Sequence, residues 1–363
     1  MPQSAHRGPP VRLDTFLISY SDSSFTNPHE VALPQQPENR AGQFTHMGAQ
    51  YWGFETKRHD AWTLHPESET LTFSPTAQHE LVLGLKQPAI VDQIDISTHW
   101  FTGNQVPAVS IELIRGDQAV TVVDRHRLEP DAEVTLRCQP TEADKCRVLC
   151  HQEGGISRIS LFGEAPQDRS QPINLLESAA ICSVSNAHYG HPADAIVGVR
   201  EVDHMKGWES ARGSFGEHAV FHFDQPVTPS TLVVDTYLHR LNPPLCCQLF
   251  ALPLEQTAHT SLSEPILPKW EVSVSQAYGF EPVEDLSAFM SNELAKSRAD
   301  QRDIQLRIGR NTSPWTPITG LIGLSPDTYH EEATATGFTT KALLFVFFPN
   351  GGIHGLKVYG DRT

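Results

Sequence analysis

Gly53-Phe54-Glu55-Thr56-Lys57-Arg58 recurs 154 residues later as Gly207-Trp208-Glu209-Ser210-Ala211-Arg212. Working outward from this box, two further signatures repeat in the same order. Ile96-Ser97-Thr98-His99-Trp100-Phe101-Thr102-Gly103-Asn104, closed by Pro107, returns as Val234-Asp235-Thr236-Tyr237-Leu238-His239-Arg240-Leu241-Asn242, closed by Pro243-Pro244. Glu153-Gly154-Gly155-Ile156, running into Leu161-Phe162-Gly163, returns as Asn350-Gly351-Gly352-Ile353, running into Val358-Tyr359-Gly360. The offsets of 154, 138 and 197 differ, so each copy carries an insertion. Copy one has about 16 extra residues in the polar run near Trp62–Ala77, and copy two has about 59 extra within Leu254–Ser313. Solenoid units run only roughly 20–50 residues, so a repeat of this length is a duplicated domain. The polar, proline-marked stretch Glu164-Ala165-Pro166-Gln167-Asp168 divides the chain into 1–166 and 167–363.

Each copy reads as β. Lys341–Phe348 is a continuous apolar run ended by Pro349-Asn350-Gly351-Gly352, a turn that needs positive φ. Val109-Ser110-Ile111-Glu112-Leu113 and Ala119-Val120-Thr121-Val122-Val123 alternate about Gly116-Asp117. Short strands punctuated by frequent turn signals indicate all-β sandwiches rather than a βαβ sheet. The exception is a helix expected over Leu286–Ala299, inside the second insertion, with Leu286, Phe289, Met290 and Leu294 on one face.

Composition narrows the function. Apolar residues make up 39% and charged residues 19%, enough for packed cores. The net charge of −16 argues against nucleic acid, whose phosphates call for a basic face. A few arginines can still favour an anionic small molecule locally. No stretch approaches the roughly 20 apolar residues of a membrane span, and the N-terminal residues carry no signal-peptide pattern. The six cysteines show no C-x-x-C spacing and read as reduced thiols of a cytoplasmic protein. Gly-rich phosphate loops, G-x-S-x-G elbows and H-E-x-x-H are absent, which leaves direct attack of water for a hydrolase.

The segment Cys182-Ser183-Val184-Ser185-Asn186-Ala187-His188-Tyr189-Gly190-His191-Pro192, followed by Gly207-Trp208-Glu209, resembles the S-[DN]-A-H-[FY]-G-H-P and G-W-E-T segments of allantoicases. Gly53-Phe54-Glu55-Thr56, Phe101-Thr102-Gly103-Asn104 and Glu153-Gly154-Gly155-Ile156-Ser157-Arg158 resemble that family's G-W-E-T-R-R, F-T-G-N and P-D-G-G-x-x-R. The resemblance spans nearly the whole chain apart from the insertions. It implies a tandem pair of jelly-roll β-sandwiches of the galactose-binding-like type. It also implies hydrolysis of allantoate to ureidoglycolate and urea. The chain departs from the family pattern at Gln78-His79-Glu80-Leu81 and Gly216-Glu217-His218-Ala219, which stand for G-H-D-W. Asp235 of the family's D-T is kept in copy two but becomes Ser97 in copy one, and the arginine after the second D-G-G becomes Gly355.

The candidate catalytic residues are Glu55, Glu209, His188 and His191. A carboxyl can serve as base for water or acid for the departing nitrogen, while a glutamate present in both copies can equally define the fold. An imidazole can be base, acid or ligand. His-x-x-His in a loop shows no third ligand, so no metal is assigned and divalent-metal assistance stays open. Arg58 and Arg212 offer bidentate recognition of a substrate carboxylate, or are surface residues. Asn104 and Asn242 suit a cap on the turn before the prolines. Asn104, in the intact Phe-Thr-Gly-Asn, is the stronger candidate for substrate contact, together with Asn186 of the histidine loop. The site is expected to use the loops of copy one and the His188–Pro192 segment. Two other readings remain at this level. One is an enzyme acting on another ureido or guanidino compound, with the second insertion as a lid; the other is a non-catalytic binding module. The partner is a small molecule, no cofactor is called for, and assembly into a homo-oligomer stays open.

Overall fold

The computed structural model describes residues 11–362 apart from 25, 47, 75–77, 165–172, 201–206, 213–214, 287–288, 290–302 and 310–312. The chain forms two compact units, Met1–Gln171 and Pro172–Thr363. Among the described residues no helix is long and apolar enough to cross a membrane.

The first unit is organised by one long strand, His79–Ser97. Its first half pairs with Thr15–Tyr20, and its second half pairs with Arg158–Glu164. Along both halves it runs antiparallel to Glu133–Cys150, from Glu133 opposite Ser97 to Cys150 opposite His79. The register slips between Arg137 and Thr141 and between Ala143 and Lys145. Pro88 and Pro140 lie in these middles. Proline donates no ladder hydrogen bond, so both strands can bend there and serve two layers of a sandwich. Ala108–Arg115 and Gln118–Arg127 extend the first layer as a hairpin. Alternate side chains of both layers, including Leu81, Leu83, Ile94, Ile96, Ile111, Leu113, Ile159 and Leu161, form one buried cluster.

The second unit repeats the plan. Glu217–Asp235 pairs with Ala180–Val184 at one end and with Tyr329–Ala333 at the other. It pairs with Thr340–Phe348 in its first half and with Gly355–Arg362 in its second, and the register slips around Pro226 and Pro229. The apolar run ending at Phe348 is buried on both faces. Leu343, Phe345 and Phe347 enter the sandwich core, and Ala342, Leu344 and Val346 pack outward against Trp315 with Leu262, Leu267, Trp270 and Ile308. Burial on two faces is the physical reason that the run does not alternate.

Both insertions carry β structure among the described residues. The polar run of copy one folds as a hairpin, Trp62–His65 with Thr70–Phe73. Trp62 stands opposite Phe73, and Leu64 stands opposite Leu71, so four apolar side chains share one exposed face. The second insertion opens with the short helical turn Leu254–Gln256 and carries a three-stranded antiparallel sheet in the order Gly279–Pro282, Lys269–Gln276, Ile304–Gly309. Trp270, Val272 and Val274 alternate inward with a period of two. Most of the helix expected over Leu286–Ala299 lies outside the described residues. Phe289 is buried with Val272, Val274, Cys246 and Phe348.

Candidate active site

The box glutamate and the loop asparagine meet in each unit. Phe54–Glu55 pairs with Gly155–Ile156, and Trp208–Glu209 pairs with Gly352–Ile353. The Asn104 amide donates to Glu55 Oε1 at 3.1 Å, and the Asn242 amide donates to Glu209 Oε1 at 2.9 Å. The carbonyls of the same asparagines accept from the N–H groups of Gly155 (2.8 Å) and Gly352 (2.9 Å). All three sequence signatures therefore converge on one point. The first glycine of each Gly-Gly pair permits this close approach. Gly154 has φ +152°, and a Cβ there would lie 2.4 Å from the carbonyl carbon of Gln105; Gly351 has φ +135°, and its Cβ would lie 2.5 Å from the Asn242 oxygen.

Two further repeats supply the supports. Leu128-Glu129-Pro130-Asp131 recurs as Leu324-Ser325-Pro326-Asp327, offset by 196. Asp131 accepts the N–H of Trp100 at 2.9 Å, and Asp327 accepts that of Leu238 at 2.8 Å. Trp100 and Leu238 both have positive φ, 72° and 62°. Their backbones are held by these bonds in a conformation that such side chains disfavour. Ser21-Asp22, continuing to Pro28, recurs as Ser185-Asn186, continuing to Pro192, offset by 164. Asp22 Oδ2 accepts the Lys57 N–H at 2.6 Å, and Asn186 Oδ1 accepts the Ala211 N–H at 3.0 Å. The histidine loop is thus a second-copy version of a loop present in both units.

The copies differ chemically. Glu55 is 3% exposed, and its Oε2 is buried with no partner among the described residues. Burial raises the Glu55 pKa, against the opposing pull of the Asn104 hydrogen bond, the Arg58 charge and the nearby Ser24 hydroxyl. Glu209 is only half-buried. Beneath Gly155 lies the Phe101 ring, and beneath Gly352 lies the His239 ring. His239 is buried, and its Nδ1 donates to Asn242 Oδ1 at 3.3 Å, orienting the amide that reaches Glu209. Burial lowers the His239 pKa.

The remaining candidates divide. Arg58 acts on Glu55 through its charge and is exposed, as is Arg212. Asn186 also accepts through its backbone oxygen from Trp208 Nε1 at 2.6 Å, which ties it to the box of its own unit. His188 is exposed and lies edge-on to Tyr189, with ring centroids 4.4 Å apart. His191 caps the short helix Pro192–Ile196, its Nδ1 accepting from the Ala193 N–H while Asp194 accepts from the His191 N–H. A capping imidazole has one nitrogen already in use, and His-Pro-x-Asp is itself a legible helix start. Asn104 and Asn242 serve as links between glutamate and turn rather than as caps before the prolines. Among the described residues no three His, Cys, Asp or Glu side chains stand together as metal ligands would.

Against known proteins, the allantoicase repeat model matches residues 11–166 and again 173–363. An allantoicase from Neurospora crassa is 24% identical over 96% of this chain and 88% of its own length. The allantoicase of Saccharomyces cerevisiae is 24% identical over 63% of this chain and 70% of its own. A crystal structure of the latter enzyme aligns over 96% of this chain and 90% of that one at 18% identity, with a TM-score of 0.34. A fucolectin from Morone saxatilis aligns over 97% of this chain at 11% identity and a TM-score of 0.28. With the family model matching both halves of the molecule, the chain belongs to the allantoicase family.

Proposed function

We propose that the protein hydrolyses allantoate to ureidoglycolate and urea. Membership of the family, through both repeats, supports the activity, and the Glu55–Asn104 pair beside Arg58 is the observation that carries the site. Allantoate holds two ureido groups and a carboxylate on one methine carbon. Hydrolysis exchanges one ureido group for hydroxyl at that carbon, so the departing urea nitrogen must receive a proton. Glu55 suits that task. Burial disfavours its ionised form, one oxygen is fixed by Asn104, and the other has no protein partner among the described residues. Arg58, whose charge acts on Glu55, would bind the substrate carboxylate. Glu209 and Asn242 repeat the arrangement with Arg212 nearby in sequence. His188, an exposed ring, precedes Tyr189, which pairs with Glu209 across the strands.

The partner is a small molecule. A cytoplasmic setting fits six free cysteines, of which four are buried. The test is direct: purified protein is incubated with allantoate, and urea is assayed together with glyoxylate from the breakdown of ureidoglycolate. Parallel arms contain chelator or added divalent ions. Absence of turnover in every arm refutes the proposal.

A further inference from the structure

Glu55 can supply the proton for the departing nitrogen, but the attacking water must lose one too. The first unit holds an acceptor for it. His79 Nδ1 lies 2.8 Å from Asp22 Oδ1, with side-chain exposures of 11% and 6%. The same Asp22 oxygen accepts the Ser21 hydroxyl at 2.6 Å, and the other accepts the Lys57 N–H at 2.6 Å. A carboxylate only accepts, so Nδ1 carries its hydrogen, and in the neutral ring it is Nε2 that offers the lone pair. His79 lines a cavity of about 520 Å³ with Ala61, Trp62, Phe73, Cys150, His151, Gln152 and Glu153. That size is ordinary for a small-molecule site.

We propose that Asp22 and His79 form an acid–base dyad, and that this cavity receives the ureido end of the substrate. The inference rests on the allantoate reading and adds the catalytic base to it. The lining suits a planar group rich in N–H donors. Trp62 and Phe73, with ring centroids 4.8 Å apart, offer aromatic faces. Glu153 holds the His59 N–H with one oxygen, and the other accepts no hydrogen bond from the described residues. Lys57 and His59 thereby tie the dyad and Glu153 to the loop that carries Glu55 and Arg58.

The second copy separates this arrangement from what the fold requires. Glu217 stands where His79 does, is buried and takes the Ser185 hydroxyl, while Asn186 replaces Asp22. The backbone bonds persist in both copies. Glu80 N–H donates to Ser21 Oγ at 3.0 Å, and His218 N–H donates to Ser185 Oγ at 2.8 Å. The loop can therefore be built without a dyad, and the hairpin that walls the cavity belongs to copy one alone.

In the step, the water oxygen bonds to the methine carbon as the carbon–nitrogen bond to urea breaks. The water proton goes to His79 Nε2, and the departing nitrogen takes the Glu55 proton. Solvent then removes the imidazolium proton and reprotonates Glu55, so that each turnover consumes one water.

His79→Asn tests the dyad. Asparagine places an amide nitrogen near the Nδ1 position and can keep the Asp22 bond, but has nothing at Nε2. The kcat for allantoate should fall on the order of 100-fold or more, with KM and melting temperature near parental. A kcat within threefold of the parent overturns the dyad. Trp62→Ala with Phe73→Ala tests the cavity, and these rings are 47% and 54% exposed, so the core should survive. The KM should rise about tenfold or more, equivalent to ~1.4 kcal/mol; an unchanged KM overturns the cavity as substrate site. Binding is read separately by ¹⁵N imidazole NMR of the parent, with His79 assigned from His79→Asn or His79→Gln. Its Nε2 resonance should shift on addition of allantoate. A shift without turnover refutes the activity and keeps the binding site. Turnover without a shift overturns the inference and keeps the activity, and neither shift nor turnover refutes both.

Discussion

Glu55→Gln separates chemistry from folding at the residue on which the site depends. Glutamine keeps an acceptor for the Asn104 amide at 3.1 Å and places its –NH2 where Oε2 now lies unpartnered. Two stability effects oppose each other. Burial raises the Glu55 pKa, so the folded state binds this proton more tightly than the unfolded chain does. Stability from this group is therefore greatest below the ordinary carboxylate range and is lost as pH rises through the folded value. At neutral pH the ionised carboxylate is therefore a cost to the folded state. Glutamine removes that cost but adds a buried N–H whose lack of a partner costs about 1–3 kcal/mol. The two have opposite signs, and about 1 kcal/mol moves the melting point of a unit this size by roughly 2–4 °C. The net shift at pH 7 should stay within a few degrees. The kcat should fall on the order of 100-fold or more, because the proton donor is gone. Urea release at saturating allantoate gives kcat, and melts at pH 5 and pH 8 give the linkage. From pH 5 to pH 8 the parent should lose stability relative to the variant. A variant with more than a third of parental kcat would falsify the role of Glu55, and a melting gap independent of pH would show that its carboxyl does not titrate as described.

Other perturbations are expected to act as follows. His239→Phe restores the ring that copy one has beneath its glycine and removes only the Nδ1 bond to Asn242, so melting should change little at pH 8. Because burial lowers the His239 pKa, the parent should lose stability relative to this variant as pH falls below about 6.5; matched melts from pH 8 to pH 5 check the sign. Arg58→Lys keeps charge but loses the fork, and should raise KM for allantoate about tenfold while leaving the melting temperature alone, since Arg58 is exposed. An unchanged KM would show that Arg58 does not hold the carboxylate. Gly154→Ala meets backbone at 2.4 Å with φ +152°, and calorimetry should show the first unit destabilised by at least about 2 kcal/mol. Full retention of its transition would contradict the close approach.

Much of the fold was legible because the duplicated signatures lie at turns, where hydrogen bonding and backbone conformation restrict residue choice. Gly53, Gly154, Gly207 and Gly351 all have positive φ, and each remains a glycine in the partner copy. The Leu-x-Pro-Asp repeat escaped notice because its aspartates act on backbone N–H groups about 31 and 89 residues away. Only the offset of 196, one short of that of the Gly-Gly signature, could have exposed it. The pairing of Glu55 with Asn104 was not readable either, since nothing local encodes a contact between residues 49 apart in sequence. His79 showed in sequence only as the surviving member of a decayed Gly-His-Asp-Trp. Its partner Asp22 belongs to the loop whose second copy carries the better-matched histidines. His191 drew attention as a reactive imidazole and is a helix cap, a role its following proline advertises.

The strand Thr340–Phe348, apolar on both sides, has a practical consequence for anyone trimming this molecule. In the first unit the equivalent outward face carries an ion pair between Arg147 and Glu112, directly opposite each other on neighbouring strands, and water can wet it. The second unit presents Val220, Phe250, Leu252, Leu344 and Val346 there instead, beneath Trp315. Excising 254–313 as a dispensable decoration would uncover a flat greasy sheet on a β protein, a template for self-association. A shortened second unit should therefore come out of cells as insoluble material unless those five positions are first rewritten as polar ones. The segment that looks most like an accessory is a cover the sandwich can no longer shed.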